Sequence, residues 1–264
     1  MELGELIQQR RKEMNFSQAD LAERVGVSIE AISKWEQGKY RPNVENYERL
    51  DEVLGLSRTD DDRRESRFFD EEHMSAFLKG KISSGKFPEA MKALDFAKEK
   101  HMGQTRKGPG SVPYINHPLN MACHAFAMGL EDDVLIAALL LHDVSEDCEV
   151  VPEDLPVCQE AQEIVRLVTK PKDKTAFSEE NYYKAISHNP KACMVKCIDR
   201  CHNVSSMAIG FTNEGIEKYI KETEAFFPDL IRVLKSQPDY NNAAWLLSYQ
   251  VRSVLSTAKR IITG

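Results

Sequence analysis

Three short segments carry side chains whose types and spacing can do chemistry. In Tyr114-Ile115-Asn116-His117-Pro118, a proline suited to the first turn of a helix places His117 at that helix's start. In Leu139-Leu140-Leu141-His142-Asp143-Val144-Ser145-Glu146-Asp147, an apolar run passes directly into ionisable groups. On a continuous helix His142 and Glu146 are four-residue neighbours, and so are Asp143 and Asp147. Charge at the end of a buried helix is costly to desolvate, and a divalent cation offsets that cost. Adjacent His and Asp are hard enough ligands for Mn²⁺ or Mg²⁺. A solvated helix end explains Glu146 and Asp147 as well, but not His142 and Asp143, which follow apolar leucines. In Val195 to Asn203, the three- and four-residue spacing puts Asp199, His202 and Asn203 on one helix face and Cys193, Cys197 and Cys201 on another. That thiol ladder has no second ligand cluster, so it reads as packing rather than as a zinc site. Taken together, His…His-Asp…Asp offers four ligands from three helices and leaves positions for water and substrate, as a hydrolytic metal requires.

The elements that must hold these groups are helical. Apolar residues recur every three or four positions from about Phe87 to Lys235, and strand signals are weak, which predicts an all-α chain. After Pro238, Ala244, Leu246, Leu247, Val251, Val254, Leu255 and Ala258 gather near one face of a closing helix, which docks on the body or on a partner. Near the N-terminus, Ser17 with Asp20 starts one short helix, Gly26 supplies a turn, and Ser28 caps a second helix, Ile29 to Gln37. Ile32 and Trp35 face inward there, while Glu30, Ala31, Ser33 and Lys34 stay free, the layout of a helix-turn-helix. The expected divisions are 1–57, a helix-turn-helix domain; 58–86, a charged linker and connecting helix; 87–236, the domain with the ionisable segments; and 237–264, the closing helix.

Composition bounds the rest. The 264 residues suit one large domain or two ordinary ones, and 42% hydrophobic against 29% charged residues supports a folded core. The longest apolar run, Val134 to Leu141, is far short of the roughly 18 residues of a membrane span. The first residues lack a basic, then apolar, export signal, and six cysteines suit reduced thiols, so a cytoplasmic protein is expected. The net charge of −7, with eleven acids against eight bases in residues 1–56, means that contact with nucleic acid must rest on a local patch.

The run SQADLAERVGVSIEAISKWEQGKYRP resembles the lambda-repressor-like (Xre-type) family over about residues 3 to 56. The resemblance implies a five-helix domain that binds double-stranded DNA, as a homodimer. Gln18 would sit at a phosphate, Ser28, Ile29, Glu30 and Lys34 in the major groove, and Lys39, Tyr40 and Arg41 beside the backbone. A docking or dimerising module is the alternative. The segments HMGQTRKGPGSVPYINHP, AALLLHDVSED and VKCIDRCHN resemble the HD-domain phosphohydrolases over about residues 87 to 235. More narrowly, they resemble the (p)ppGpp hydrolase branch of the RelA/SpoT superfamily, the small alarmone hydrolases of the stringent response. That resemblance implies Mn²⁺, or Mg²⁺ or another divalent metal, on His117, His142, Asp143 and Asp199. It implies Glu146 and Asp147 as activating or proton-transferring carboxylates beside the attacking water. Arg106 and Lys107 would line the guanosine, Asn203 the ribose or a phosphate, and Lys174 and Lys218 the pyrophosphates. The reaction implied is hydrolysis of the 3′-diphosphate of ppGpp or pppGpp to GDP or GTP and pyrophosphate. Ser145 and Val204-Ser205-Ser206 depart from the family pattern, which leaves a 3′-phosphorylated adenine nucleotide (ppApp) or NADPH open as substrate. A transcriptional regulator whose HD domain only senses a nucleotide is the second reading. Retention of all four ligand positions and both carboxylates favours the enzyme.

Overall fold

Capping chemistry sets the first unit. The computed structural model describes residues 3–56, 71–106, 112–171, 175, 177–210 and 212–263. Helix α1 spans Leu3–Glu13, α2 Gln18–Val25, α3 Ile29–Glu36 and α4 Val44–Leu54, so four of the five expected helices lie in this stretch. Asp20 N donates to Ser17 Oγ at 3.1 Å while Ser17 N donates to Asp20 Oδ2 at 2.8 Å, a reciprocal capping box. Gly26 ends α2 at φ +74°, the left-handed conformation only glycine takes without strain. Ser28 then caps α3, its Oγ accepting from Ala31 N at 3.1 Å. Ile7, Leu21, Val25, Ile32, Trp35 and Leu50 close the core. Gly4 lets α1 approach the end of α3, since a Cβ there would lie 2.4 Å from the Trp35 carbonyl oxygen.

The chain divides between residues 67 and 68, and the second unit has its own core. Its main helices are α5 (Glu71–Gly85), α6 (Pro88–Lys100), α7 (Asn116–Ala127), α8 (Asp133–Leu141), the single turn α9 (Val144–Asp147), α10 (Gln159–Val168), α11 (Glu179–Ser187), α12 (Pro190–Gly210), α13 (Asn213–Lys235) and α14 (Asn241–Thr263). Among the described residues there is no strand, only an isolated bridge between Thr105 and Pro113. Helix α8 is apolar nearly all round, with Leu135 through Leu141 buried, and it lies at the centre against α6, α7, α10 and α12. Asp133 fixes the α6–α8 pair by accepting from Glu89 N at 3.1 Å and Ala90 N at 2.7 Å, which satisfies open donors at the start of α6. Met74, Leu78 and Ile82 tie α5 into this core, so the connecting helix is part of the unit's packing. The expected linker, residues 58–70, lies outside the described residues. The closing helix α14 packs on α12 and α13 through Ala243, Ala244, Leu247, Val251 and Leu255. Leu246 departs from its expected face: it is exposed beside Trp245 and Tyr249. No helix of the described residues is long and apolar enough to cross a membrane.

Candidate active site

The ionisable segments meet where α7, the end of α8 and the middle of α12 converge. The run from Leu139 to Asp147 is not one helix. Helix α8 stops at Leu141, and a new turn begins at Val144, with Asp143 at φ −96° and ψ −10°. The break lets His142 and Asp143 both turn into the site, which four-residue spacing on a continuous helix does not provide.

His117 Nε2 lies 3.5 Å from Asp143 Oδ2 and 3.4 Å from Asp199 Oδ1. His142 Nε2 lies 3.1 Å from Asp143 Oδ2 and 4.0 Å from Asp199 Oδ1. Ligand atoms of His117, His142 and Asp199 fall within 4.8 Å of one another, and all three residues are buried. His142 Nδ1 lies 2.9 Å from the Leu139 carbonyl oxygen. A carbonyl only accepts, so Nδ1 carries a proton and Nε2 is the nitrogen free for a ligand bond. That Nε2 is buried without a hydrogen-bond partner. Two carboxylates and two imidazoles converging in a buried site fit a divalent cation.

Surrounding groups fix the carboxylates. Lys196 Nζ donates to Asp199 Oδ2 at 2.8 Å, Asn203 Nδ2 donates to Asp199 Oδ1, and Tyr114 donates its hydroxyl to Asp143 Oδ2 at 2.7 Å. Burial pushes the Asp199 carboxyl up, but the Lys196 ammonium and the imidazoles outweigh it and hold the group well below the carboxylate range. Burial likewise opposes the charge on His142, yet Asp143 and Asp199 raise its pKa to about 9, so without a cation Nε2 carries a proton toward Asp143, and a cation would displace it. His202, desolvated and beside His117 and Arg106, is lowered to about 3 and is neutral. Glu146 is raised above the ordinary glutamate value by burial, and the charges of Asp143 and Asp147 add to this against the backbone N–H of Lys170, 3.3 Å from its Oε2. One residue along α12 from Asp199, Arg200 donates to Glu222 Oε1 at 2.8 Å and to the Tyr183 hydroxyl. This buried network pins α12 to α11 and α13, and so sets the height of Asp199.

Of the other anticipated substrate groups, Arg106 and Asn203 are brought together, with Nη2 donating to Oδ1 at 2.8 Å. Lys218 is exposed on α13 and makes none of these contacts, and Lys107 and Lys174 lie outside the described residues. Sequence reading passed over Lys196, the Tyr114 hydroxyl and a role for His202. The i,i+3 spacing of Lys196 and Asp199 could have found the first. The other two depend on tertiary contact, of Tyr114 with Asp143 after α8 and of His202 on α12 with His117 and Arg106.

In the first unit Ile29 is 53% exposed and Glu30 pairs with Lys34 at 2.8 Å. Lys39, Tyr40 and Arg41 are exposed just after α3, and the Ser28 hydroxyl is occupied as the α3 cap. Gln18 points its amide inward, Nε2 donating to Glu36 Oε2 at 2.8 Å.

Two family models match the chain. A helix-turn-helix model matches residues 7–60, and an HD-domain model matches residues 93–230, just over half of the sequence. The chain belongs to the HD-domain family. This HD domain is similar to the guanosine-3′,5′-bis(diphosphate) 3′-pyrophosphohydrolase of Xenopus tropicalis, 33% identical over 142 residues that cover 50% of this chain and 78% of that one. The enzyme of the same name from Aquifex aeolicus is 36% identical over 149 residues, 54% of this chain and 21% of its own length. The bifunctional (p)ppGpp synthase/hydrolase SpoT of Escherichia coli K12 is 34% identical over 121 residues, 42% of this chain and 17% of that protein. A solved structure, described as a metazoan ortholog of SpoT that hydrolyses ppGpp, shares the HD fold with a TM-score of 0.50 at 23% identity. The match covers 64% of this chain and 95% of that one.

Proposed function

We propose that the chain hydrolyses the 3′-diphosphate of ppGpp or pppGpp, releasing GDP or GTP and pyrophosphate, in the cytoplasm and with Mn²⁺ as its cation. The observation that carries this is the convergence of His117, His142, Asp143 and Asp199 on one point, with His142 Nε2 buried 3.1 Å from Asp143 Oδ2. The relatives named for this hydrolysis support the substrate class. The cation would supply a water of lowered pKa and polarise the phosphoryl group. Asp199 and Asp143 are oriented by Lys196 and Tyr114. Glu146, whose carboxyl is held above its ordinary value, receives the proton of the attacking water, and Asp147, next to it on α9, orients that water. Arg106 and Lys107 bind the guanosine, Asn203 the ribose or a phosphate, and Lys174 and Lys218 the pyrophosphates.

The first unit we assign to DNA, bound as a dimer through Ser28, Ile29, Glu30 and Lys34 in the groove with Lys39, Arg41 and Gln18 at the backbone. Ile29 is exposed at the start of α3, where this reading puts it in the groove. Pyrophosphate release from the purified full chain, with ppGpp, pppGpp, ppApp and NADPH side by side, tests the enzyme. Release from ppGpp that Glu146→Ala abolishes is expected. No release from any of the four, with nucleotide still bound by calorimetry, would make the chain a nucleotide-sensing regulator.

A further inference from the structure

His202 is not in the ligand set, but it sits behind it. Its Nδ1 lies 2.8 Å from His117 Nδ1 and 3.2 Å from Arg106 Nη1. The two imidazole centroids are 4.6 Å apart. One ring nitrogen therefore faces two nitrogens, and the guanidinium decides which of them donates. Arginine has five N–H donors and no acceptor, so His202 Nδ1 must accept, and its proton resides on Nε2. An accepting Nδ1 in turn requires His117 to donate from its own Nδ1. His117 Nε2 then keeps the lone pair, facing Asp143 and Asp199 at 3.5 and 3.4 Å. For His142 the same task falls to the Leu139 carbonyl. A neutral imidazole, held as an acceptor by an arginine, replaces that carbonyl at His117.

We infer that His202, locked by Arg106, is the positioning residue that sets the tautomer and ring orientation of His117 as a metal ligand, an inference that rests on the metal-dependent reading above. Groups behind a ligating histidine fix its tautomer and raise its basicity in this way. The arrangement also joins the nucleotide side to the metal side by two routes. Arg106 reaches His117 through His202, and it reaches Asp199 through Asn203, whose Nδ2 donates to Asp199 Oδ1. Arg106, on leaving His202 to bind a base, would thus loosen the acceptor behind a metal ligand.

Mn²⁺ affinity of the full chain, read by electron paramagnetic resonance of the free ion, separates the possibilities. His202→Asn keeps an oxygen acceptor near the place of Nδ1, whereas His202→Leu offers none. His202→Leu should weaken Mn²⁺ binding about 10- to 100-fold while His202→Asn stays within about threefold of wild type. Leucine binding as tightly as wild type, or asparagine as weakly as leucine, would overturn the inference. Wild-type chain that binds no Mn²⁺ would overturn the metal reading instead. Two-bond ¹H–¹⁵N correlations on histidine-labelled wild-type chain need no variant to fold. They should show His202 protonated at Nε2 and His117 at Nδ1, and His202 protonated at Nδ1 would sink the inference even if Mn²⁺ binds.

Discussion

Glu36 in the helix-turn-helix unit and Asp199 in the HD domain are both buried carboxylates, 8% and 6% exposed. Their surroundings differ in one respect. Arg11 grips Glu36 with two bonds, Nε to Oε1 at 2.6 Å and Nη2 to Oε2 at 3.0 Å, and Gln18 adds a third. One negative charge meets one positive charge, and the protein's own donors fill both oxygens. At Asp199 the protein's donors also reach both oxygens, from Lys196 and Asn203, but Asp143 adds a second carboxylate that, without a cation, is balanced only by a proton on His142. A buried, acceptor-rich cluster remains. The first pair is complete and holds a fold together; the second is complete only with a cation.

The comparison breaks most sharply at the ligands. Asp143→Asn should lower pyrophosphate release about a thousandfold, because a catalytic metal contributes several kcal/mol. The unfolding temperature without added metal should fall only modestly, since relief of the repulsion with Asp199 offsets part of the lost pairing with His142. Calorimetry beside the activity assay checks both, and a variant that unfolds in metal-free buffer would place Asp143 with Glu36 as a structural charge. Glu36→Gln should do the opposite. It strands the Arg11 guanidinium and costs the first unit roughly 3 kcal/mol. Hydrolysis by the HD domain should be unchanged. Urea unfolding followed by Trp35 fluorescence, in a Trp245→Phe background, reads the first unit by itself.

Acid sharpens the same contrast. Burial opposes the charge on Glu36, but Arg11 and Gln18 outweigh it and depress the carboxyl below its ordinary value of 4.5. The stabilisation is therefore fully present above that value and is lost as pH falls through the lower, folded one. The stability gap between wild type and Glu36→Gln should be constant near neutrality and close in the acid range. A gap that persists at pH 2 would mean that the pair acts through packing rather than charge. The smallest expected effect is at the α2 cap: Ser17→Ala should cost about 1 kcal/mol in the same unfolding assay, with no effect on hydrolysis.

Local rules were readable in the sequence where their partners are close along the chain. Ser17, Asp20, Gly26 and Ser28 perform the capping and turning roles that their spacing predicts, and Ile32 and Trp35 are buried as expected. Asp199 and Asn203 share a helix face, as i,i+4 spacing requires. Where reading failed, a tertiary contact or a break in regular structure was responsible. Continuous periodicity across Leu139 to Asp147 hid the stop at Leu141. The bond from Gln18 to Glu36 spans eighteen residues, so no local spacing announces it. Leu246 fits an apolar stripe, but the arc of α14 that α12 and α13 cover is narrower than that stripe.

A buried cluster built for a divalent ion must hold an ion that can be counted. Full chain stripped with a chelator and equilibrated with Mn²⁺ by dialysis should retain one ion per chain at saturation. Asp199→Asn and His142→Gln should lose it, while Glu36→Gln keeps it. Wild type that retains no ion, or ligand variants that retain it as tightly as wild type, would contradict the account.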